Sequence, residues 1–188
     1  MLVSHQVNEA EVAFALSKPD DNIKSGPDGI PLYFLKRCRT FLIKLLILLY
    51  NKSLSSGIFP SLWKKSFVFS THKSEDKSNG ANYCQISIIS ALAKIFESIV
   101  STKISEFLFN KIGPLQHGFI KGKSLLTNLL LYNEFLSIAF QKGFKVDLIY
   151  IDFSKAFDTV NYRLLLQKVW NFGIRGTLHH WLQSYLEN

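Results

Sequence analysis

Cysteine and methionine are scarce in this chain, with two of the first and one of the second among 188 residues. Cys38 and Cys84 lie far apart, show no metal-ligand spacing and give no sign of a disulfide-built secreted fold, so a reducing, intracellular compartment is expected. The five histidines also fall at no ligand spacing. Long apolar runs are missing: Phe41–Tyr50 is greasy but short, contains Lys44 and follows Lys36, Arg37 and Arg39. It reads as a core helix, too short to cross a bilayer. Residues 1–20 carry acids and no long apolar stretch, so no signal peptide is expected. Acids are the scarcer sign of charge, 14 against 22 Lys and Arg, which leaves a scattered formal net charge of +8. That balance points toward a polyanion such as nucleic acid, although many basic proteins bind none. Repeats, low-complexity tracts and an obvious interdomain linker are absent too. What remains is plentiful apolar material, 47% hydrophobic with sixteen Phe, which excludes disorder and can fill the core of one medium domain or a large part of a bigger one.

Asn8 followed by Glu11 predicts a capping-box start for a short helix through Ala10, Ala13, Phe14 and Leu16. Lys18 to Lys24 reads as a polar loop. The turn Ser25-Gly-Pro-Asp-Gly-Ile-Pro31 leads into a long helix to about Ser55, with Leu32, Leu35, Cys38, Leu42, Leu45 and Leu49 along its buried side and Gly57 and Pro60 ending it. Trp63–Phe69 is a basic approach into a short strand, and Thr71 to Ala81 is a polar loop. Ser87 predicts the cap of a helix to about Asn110, broken by Gly113-Pro114. The basic, glycine-containing loop Gln116–Ser124 follows, and Ser124 caps a helix through about Gln141, closed by Gly143. Helices over Arg163–Trp170 and from Thr177 to Leu186 complete the order.

Near the end stands Val146–Ile151, mostly β-branched, aromatic or leucine, which predicts one buried strand. Asp152 arrives at its C-terminal end. A carboxylate held where a strand leaves the core suits a hard divalent cation, and the same residue equally suits an ordinary turn or helix cap. The predicted strand has too few candidate partners within these residues to complete a sheet.

The string IDFSKAFDTV over residues 151–160 closely resembles the first catalytic motif of reverse transcriptases, in the form used by retroelements without long terminal repeats (jockey-like, LINE-type). The likeness runs in order along most of the chain. KSGPDGIPLYFLK is similar to the family's entry segment. WKKSFVFSTHKSEDKSNGANYCQISIISALAKIFESIV is similar to its fingers segment. QHGFIKGKSLLTNLL is similar to its Gln-His-Gly-Phe-Arg-x-Gly-Arg segment, and IYIDFSKAFDTVNYRLLLQKVWNFGIRGTLHHWLQSYL to the start of its palm.

The resemblance implies an α+β, helix-rich fold, fingers-like over about 1–145 and the start of a right-hand palm over about 146–188. It implies an RNA-directed DNA polymerase acting on an RNA template, a DNA primer and dNTPs, through two Mg2+ ions in the complete enzyme. Asp152 aligns with the first metal-binding carboxylate, and the carbonyl of Phe153 with the neighbouring ligand. Phe157 stands where an aromatic ring excludes a 2′-hydroxyl, and Lys73 where a basic side chain lies near the triphosphate. Lys121 and Lys123, with the amides of Gly118 and Gly122, are placed for the template backbone. Read without the family, Phe157 fits a core position, and Lys73, Lys121 and Lys123 fit a solvated surface. Asp158 is not a ligand position and is expected to cap or brace the next helix; Asp147 is given no role.

The chain departs from the pattern at Cys84-Gln85, where Arg-Pro is usual, and at Ile120, where Arg is usual, and each loses a guanidinium. The family's Pro-Gln-Gly turn and aromatic-x-Asp-Asp segment are missing from these residues. With one carboxylate of the set, the chain by itself is expected not to polymerise. A noncatalytic RNA-binding remnant and a helical interaction scaffold stay open beside the polymerase.

Overall fold

The computed structural model describes residues 1–18, 25–72, 76–79, 82–153 and 156–187. They form two compact units, residues 1–104 with 162–188, and residues 105–161. The described residues are helix-rich, with one antiparallel two-stranded sheet.

In the first unit, the sequence signals at the start act as predicted. Asn8 Oδ1 accepts from the Glu11 amide at 3.0 Å, and Glu11 Oε2 accepts from the Asn8 amide at 3.1 Å, which begins helix α1 (Glu9–Ser17). The buried face is Val12, Ala15 and Leu16; Phe14 faces solvent, with the Lys18 ammonium 4.3 Å from its ring centre. The loop expected over Lys18–Lys24 lies, from residue 19 on, outside the described residues.

The single long helix expected to follow is two. α2 (Leu32–Arg37) and α3 (Arg39–Ser56) meet at Cys38, whose backbone (φ −90, ψ 10) leaves the helical region. The break rotates the apolar stripe. Leu32 and Leu35 are buried as predicted, but beyond Cys38 the buried positions are Ile43, Leu46, Tyr50, Ser53 and Leu54, while Leu45 and Leu49 are exposed. A continuous helical wheel could not have shown that phase change. Gly57 closes α3 in the left-handed conformation, φ 67.

Strand β1 (Ser66–His72) pairs with β2 (Tyr83–Ile89), Phe69 opposite Ile86. Ser87 therefore sits in a strand. The cap of helix α4 (Ala91–Leu108) is Ser90, whose Oγ accepts from the Ala93 amide at 3.2 Å. The glycine of the entry turn has a reason visible here: a Cβ on Gly26 would stand 2.5 Å from the Ile89 carbonyl oxygen, so only glycine lets that turn lie against the end of β2.

The core of this unit is aromatic. Tyr50 stacks on Phe96 with centres 4.4 Å apart, and Trp181 of helix α7 (Gly176–Leu186) meets Phe96 at 5.1 Å and Phe59 at 5.3 Å. Trp63 is half-buried at 5.8 Å from Tyr50. The polar atoms of Tyr50 and Trp181 both have partners. Tyr50 Oη donates to the Leu92 carbonyl at 3.0 Å, and Trp181 Nε1 donates to Ser53 Oγ at 2.9 Å. Ser53 Oγ in turn donates to the Ile58 carbonyl at 2.6 Å. Helix α6 (Tyr162–Asn171) packs on α7, and the N-terminal residues lie beside the turn joining them: Leu2 donates to the Gly173 carbonyl and accepts from the Arg175 amide, both at 2.9 Å.

The second unit contains helix α5 (Leu125–Gln141) and a segment over 144–153 with no regular hydrogen bonding. The strand predicted for Val146–Ile151 is therefore not formed. Val146 is half-buried, whereas Ile149, Tyr150 and Ile151 are 87%, 84% and 78% exposed. A strand is a pairing rather than a local conformation, and no neighbouring strand among the described residues takes up its amides. No helix among the described residues is long and apolar enough to cross a membrane.

Two outcomes test this packing. Ser53→Ala leaves Trp181 Nε1 buried without an acceptor and is expected to cost about 1–3 kcal/mol, seen as a lower urea midpoint at unchanged slope. Glu97, half-buried on α4, has its carboxyl raised above the usual range by burial, partly countered by a hydrogen bond from Tyr185. Tyr185 is pushed up to about 12 by burial and then by the Glu97 charge. A carboxyl with a raised folded pKa contributes most below its unfolded value and loses that contribution as pH rises through the folded one. Glu97→Gln is therefore expected to raise the melting temperature at neutral pH and to change it little near pH ~4.

Candidate functional site

Every candidate site residue that the structure describes belongs to residues 105–161; Lys73 lies outside the described residues. The Gln116–Ser124 loop is built from its C-terminal end backward. Ser124 Oγ accepts from the Thr127 amide at 3.2 Å, and Thr127 Oγ1 accepts from the Ser124 amide at 2.9 Å, a reciprocal cap on α5. Thr127 Oγ1 also donates to the Ser124 carbonyl at 2.8 Å and meets His117 Nδ1 at 2.8 Å. With the one hydroxyl hydrogen directed at that carbonyl, His117 Nδ1 is the donor. His117 is buried, so it pins the near end of the loop to the first turn of α5.

Two tight turns follow. The Ile120 amide donates to the His117 carbonyl at 3.4 Å and the Lys123 amide to the Ile120 carbonyl at 3.1 Å. Gly122 has φ 82 and open space where a Cβ would be, so its amide is turned by backbone geometry that other residues adopt at a cost. Phe119 takes a positive φ of 62 without being glycine, which stores about 1 kcal/mol or more of strain, and its ring is 94% exposed. The two lysines of the loop differ. Lys121 is exposed. The Lys123 ammonium donates to the Pro114 carbonyl and, at 2.9 Å, to the Gln116 carbonyl, which closes the loop on itself. Gly118 is exposed and its carbonyl accepts from Gln116 Nε2 at 3.1 Å. Ile120, standing where the family carries Arg, is half-buried and lines a cavity of about 400 Å3 with Phe109, Pro114 and Lys123.

The segment carrying Asp152 passes beside α5. Tyr132 Oη lies 3.3 Å from Tyr150 Oη, and that hydrogen bond holds the Tyr132 phenol above its usual range. Asp147 lines a second cavity of about 480 Å3 with Phe135, Ile138 and Val146. Asp152 and Phe153 are both exposed. Phe157 is 75% exposed and meets Phe119 edge to face, with centres 6.0 Å apart. Asp158 sits in the turn 156–159, three residues ahead of the residue that precedes α6 and so not at its cap position.

The structure thus brings Phe157 to the basic loop through Phe119, a residue that sequence reasoning gave no role. The glycines at 118 and 122 signalled the turn; nothing signalled that the residue between them would take the left-handed backbone. Magnesium asks for about six oxygen ligands. No group of three or more His, Cys, Asp or Glu that could hold a metal occurs among the described residues. The residues present do not by themselves fit an ion pair.

A family model described as reverse transcriptase (RNA-dependent DNA polymerase) matches residues 73–188. The chain is similar to a probable RNA-directed DNA polymerase from transposon BS of Drosophila melanogaster, 26% identical over 166 residues, covering 87% of this chain and 18% of that protein. It is also 26% identical over 149 residues to the retrovirus-related Pol polyprotein from type-1 retrotransposable element R2 of Popillia japonica, covering 79% of this chain and 20% of that one. A third relative, a probable RNA-directed DNA polymerase from transposon X-element of Drosophila melanogaster, is 25% identical over 168 residues, covering 88% and 18%. The chain spans about a fifth of the length of these curated relatives or less. With the matched residues making up more than half of its length, and with the order of its motifs as described, the chain belongs to the reverse transcriptase (RNA-dependent DNA polymerase) family.

Proposed function

We propose that these residues are the fingers and the first palm segment of an RNA-directed DNA polymerase from a retroelement without long terminal repeats. In that reading residues of about 1–145 are fingers-like and about 146–188 open the palm, a division that follows the family's order of motifs and not the two compact units. The substrates are an RNA template, a DNA primer and dNTPs. The observation that supports the reading is the edge-to-face contact of Phe119 with Phe157, which joins the basic loop to a residue five positions after Asp152 within one compact unit.

In this reading each residue has a specific task. Asp152 and the Phe153 carbonyl offer oxygen ligands at the surface, where a polymer end and a nucleotide can reach them. Two Mg2+ ions, when bound, would supply acidification of the primer hydroxyl and a grip on the triphosphate. Phe157 presents a rigid ring to the sugar of the incoming nucleotide and penalises a 2′-hydroxyl by overlap. The exposed Lys121, with the amides of Gly118 and Gly122, faces the template backbone, while Lys123 holds the loop that carries them. Lys73 is assigned to the triphosphate on the resemblance alone. A single carboxylate leaves the ion site incomplete, so residues 1–188 by themselves are inactive in primer extension.

Primer extension on an RNA template tests this in a polypeptide carrying these residues continuous with an aromatic-x-Asp-Asp segment. Asp152→Asn is expected to lower incorporation by about a hundredfold or more, with binding of the primer–template kept. Incorporation that survives this change would sink the assignment. Phe157→Val is expected to reduce the preference for dNTP over rNTP by about tenfold or more, read as the ratio of kcat/KM for the two. An unchanged ratio would place the ring away from the sugar.

A further inference from the structure

Helix α3 turns Ile43, Leu46, Tyr50 and Leu54 into the core, where it packs on α1 and α7. Its opposite side is apolar as well. Phe41, Leu45, Leu48 and Lys52 follow one another at steps of four, three and four residues, which sets them in one row along the helix. Phe41 is 86% and Leu48 69% exposed, and Leu45 and Leu49 are exposed beside them. Lys44 lies three residues after Phe41 and four before Leu48, so it borders the same row, and both lysines are exposed. The apolar row and the two cations therefore share one face. No Asp or Glu occurs between Asp28 and Glu75, so α3 carries no acid of its own to offset them.

We propose that this face of α3 docks an acidic amphipathic helix of a partner protein. The partner's apolar side covers Phe41, Leu45 and Leu48, and its carboxylates meet Lys44 and Lys52. Large apolar side chains in a row on a helix already packed on its other side gain by being covered. Charge complementarity decides what covers them. A second copy of this chain would bring Lys44 and Lys52 against the same two lysines, with no acid in the helix to answer them. Nucleic acid would meet the lysines but leave the apolar row against phosphate and sugar. An anionic membrane surface is a poorer match, because a helix lying in the interface keeps its cations on the polar side, whereas Lys52 stands in line with the apolar row. An acidic helix answers both chemistries at once. Lys44 and Lys52 are separated by about 12 Å along the axis at 1.5 Å per residue, so the partner's carboxylates are expected about two turns apart. The surface lies outside residues 105–161 and does not rest on the polymerase reading.

Fluorescence anisotropy of a labelled synthetic peptide, titrated with the full chain, tests the proposal. The probe is a helix of about 18 residues with leucines at i, i+3, i+4, i+7 spacing and glutamates on the remaining positions. It is expected to bind about tenfold or more tightly than the same peptide with lysines in place of the glutamates, and more weakly as salt is raised. Leu48→Asn is expected to lower affinity about tenfold, while Leu126→Asn, at a comparably exposed leucine of α5, leaves it within about threefold. Lys44→Glu combined with Lys52→Glu is expected to reverse the preference between the two peptides. No binding of the glutamate peptide, equal losses at Leu48 and Leu126, or an unreversed preference would each overturn the proposal. So would binding to anionic vesicles, or self-association of the chain, in the absence of any binding to the peptide. The substituted side chains are all exposed, so each variant is expected to keep the helical circular dichroism of the original. Asp152→Asn leaves peptide binding as it was, which separates failure here from failure of the polymerase reading.

Discussion

Trp181 is the piece on which the first unit depends. It comes from the last helix, yet its ring is enclosed by Phe96 of α4, Phe59 after α3 and Tyr185 of its own helix, and its indole N–H ends on Ser53 of α3. Burying a side chain of this size contributes about 2–3 kcal/mol, but only while its one polar atom keeps a partner. Ser53 meets that condition and passes its own hydrogen to the Ile58 carbonyl, just beyond the left-handed end of α3. The end of α3, the turn after it and the far end of the chain are therefore fixed by one chain of hydrogen bonds. Because a residue near position 181 closes a core begun near position 50, the first unit needs both ends of the sequence.

How far the sequence disclosed this follows from the range of each interaction. Caps are local, and they were legible: Asn8 with Glu11, and Ser124 at the start of α5, act as their side-chain chemistry requires. The cap of α4 was misplaced from Ser90 to Ser87 because the Ile88-Ile89 pair fits a helix face as well as a strand, and only pairing with Phe67 and Ser66 decides it. Leu45 and Leu49 were expected inside because a heptad-like stripe ignores the break at Cys38. In the site, Asp152 lies at the surface, and Phe157, which without the family reads as a core residue, is 75% exposed. The Phe119–Phe157 contact was not legible, since it joins residues 38 positions apart through a backbone conformation that no side chain announces.

Val146–Ile151 shows the same distinction from the other side. Its composition is as strand-like as any stretch of the chain, yet it pairs with no strand among the described residues, and Leu148 to Ile151 are exposed. Composition sets what a segment gains once it is paired; pairing itself is a tertiary event, and the entropic cost of ordering the backbone is recovered only with a neighbour. The single tie among its hydroxyls, Tyr150 to Tyr132 on α5, is an exposed hydrogen bond between phenols and contributes about 1 kcal/mol at most.

The loop that meets Phe157 has a comparable balance. Phe119 holds a left-handed backbone at a cost of about 1–2 kcal/mol, and an edge-to-face ring pair returns about 0.5–1.5 kcal/mol. The two nearly cancel, so the ring contact alone does not set the loop. What does set it is the bonding around it: His117 on Thr127 at one end and the Lys123 ammonium on two carbonyls at the other. The lysine that looked from the sequence like a template contact is thus engaged in shaping the turn. Lys121 remains exposed, and Gly122 keeps a backbone, φ 82, that other residues adopt only at a cost. A loop clamped at its ends and nearly neutral in energy at its tip owes its shape to those hydrogen bonds and not to the ring contact.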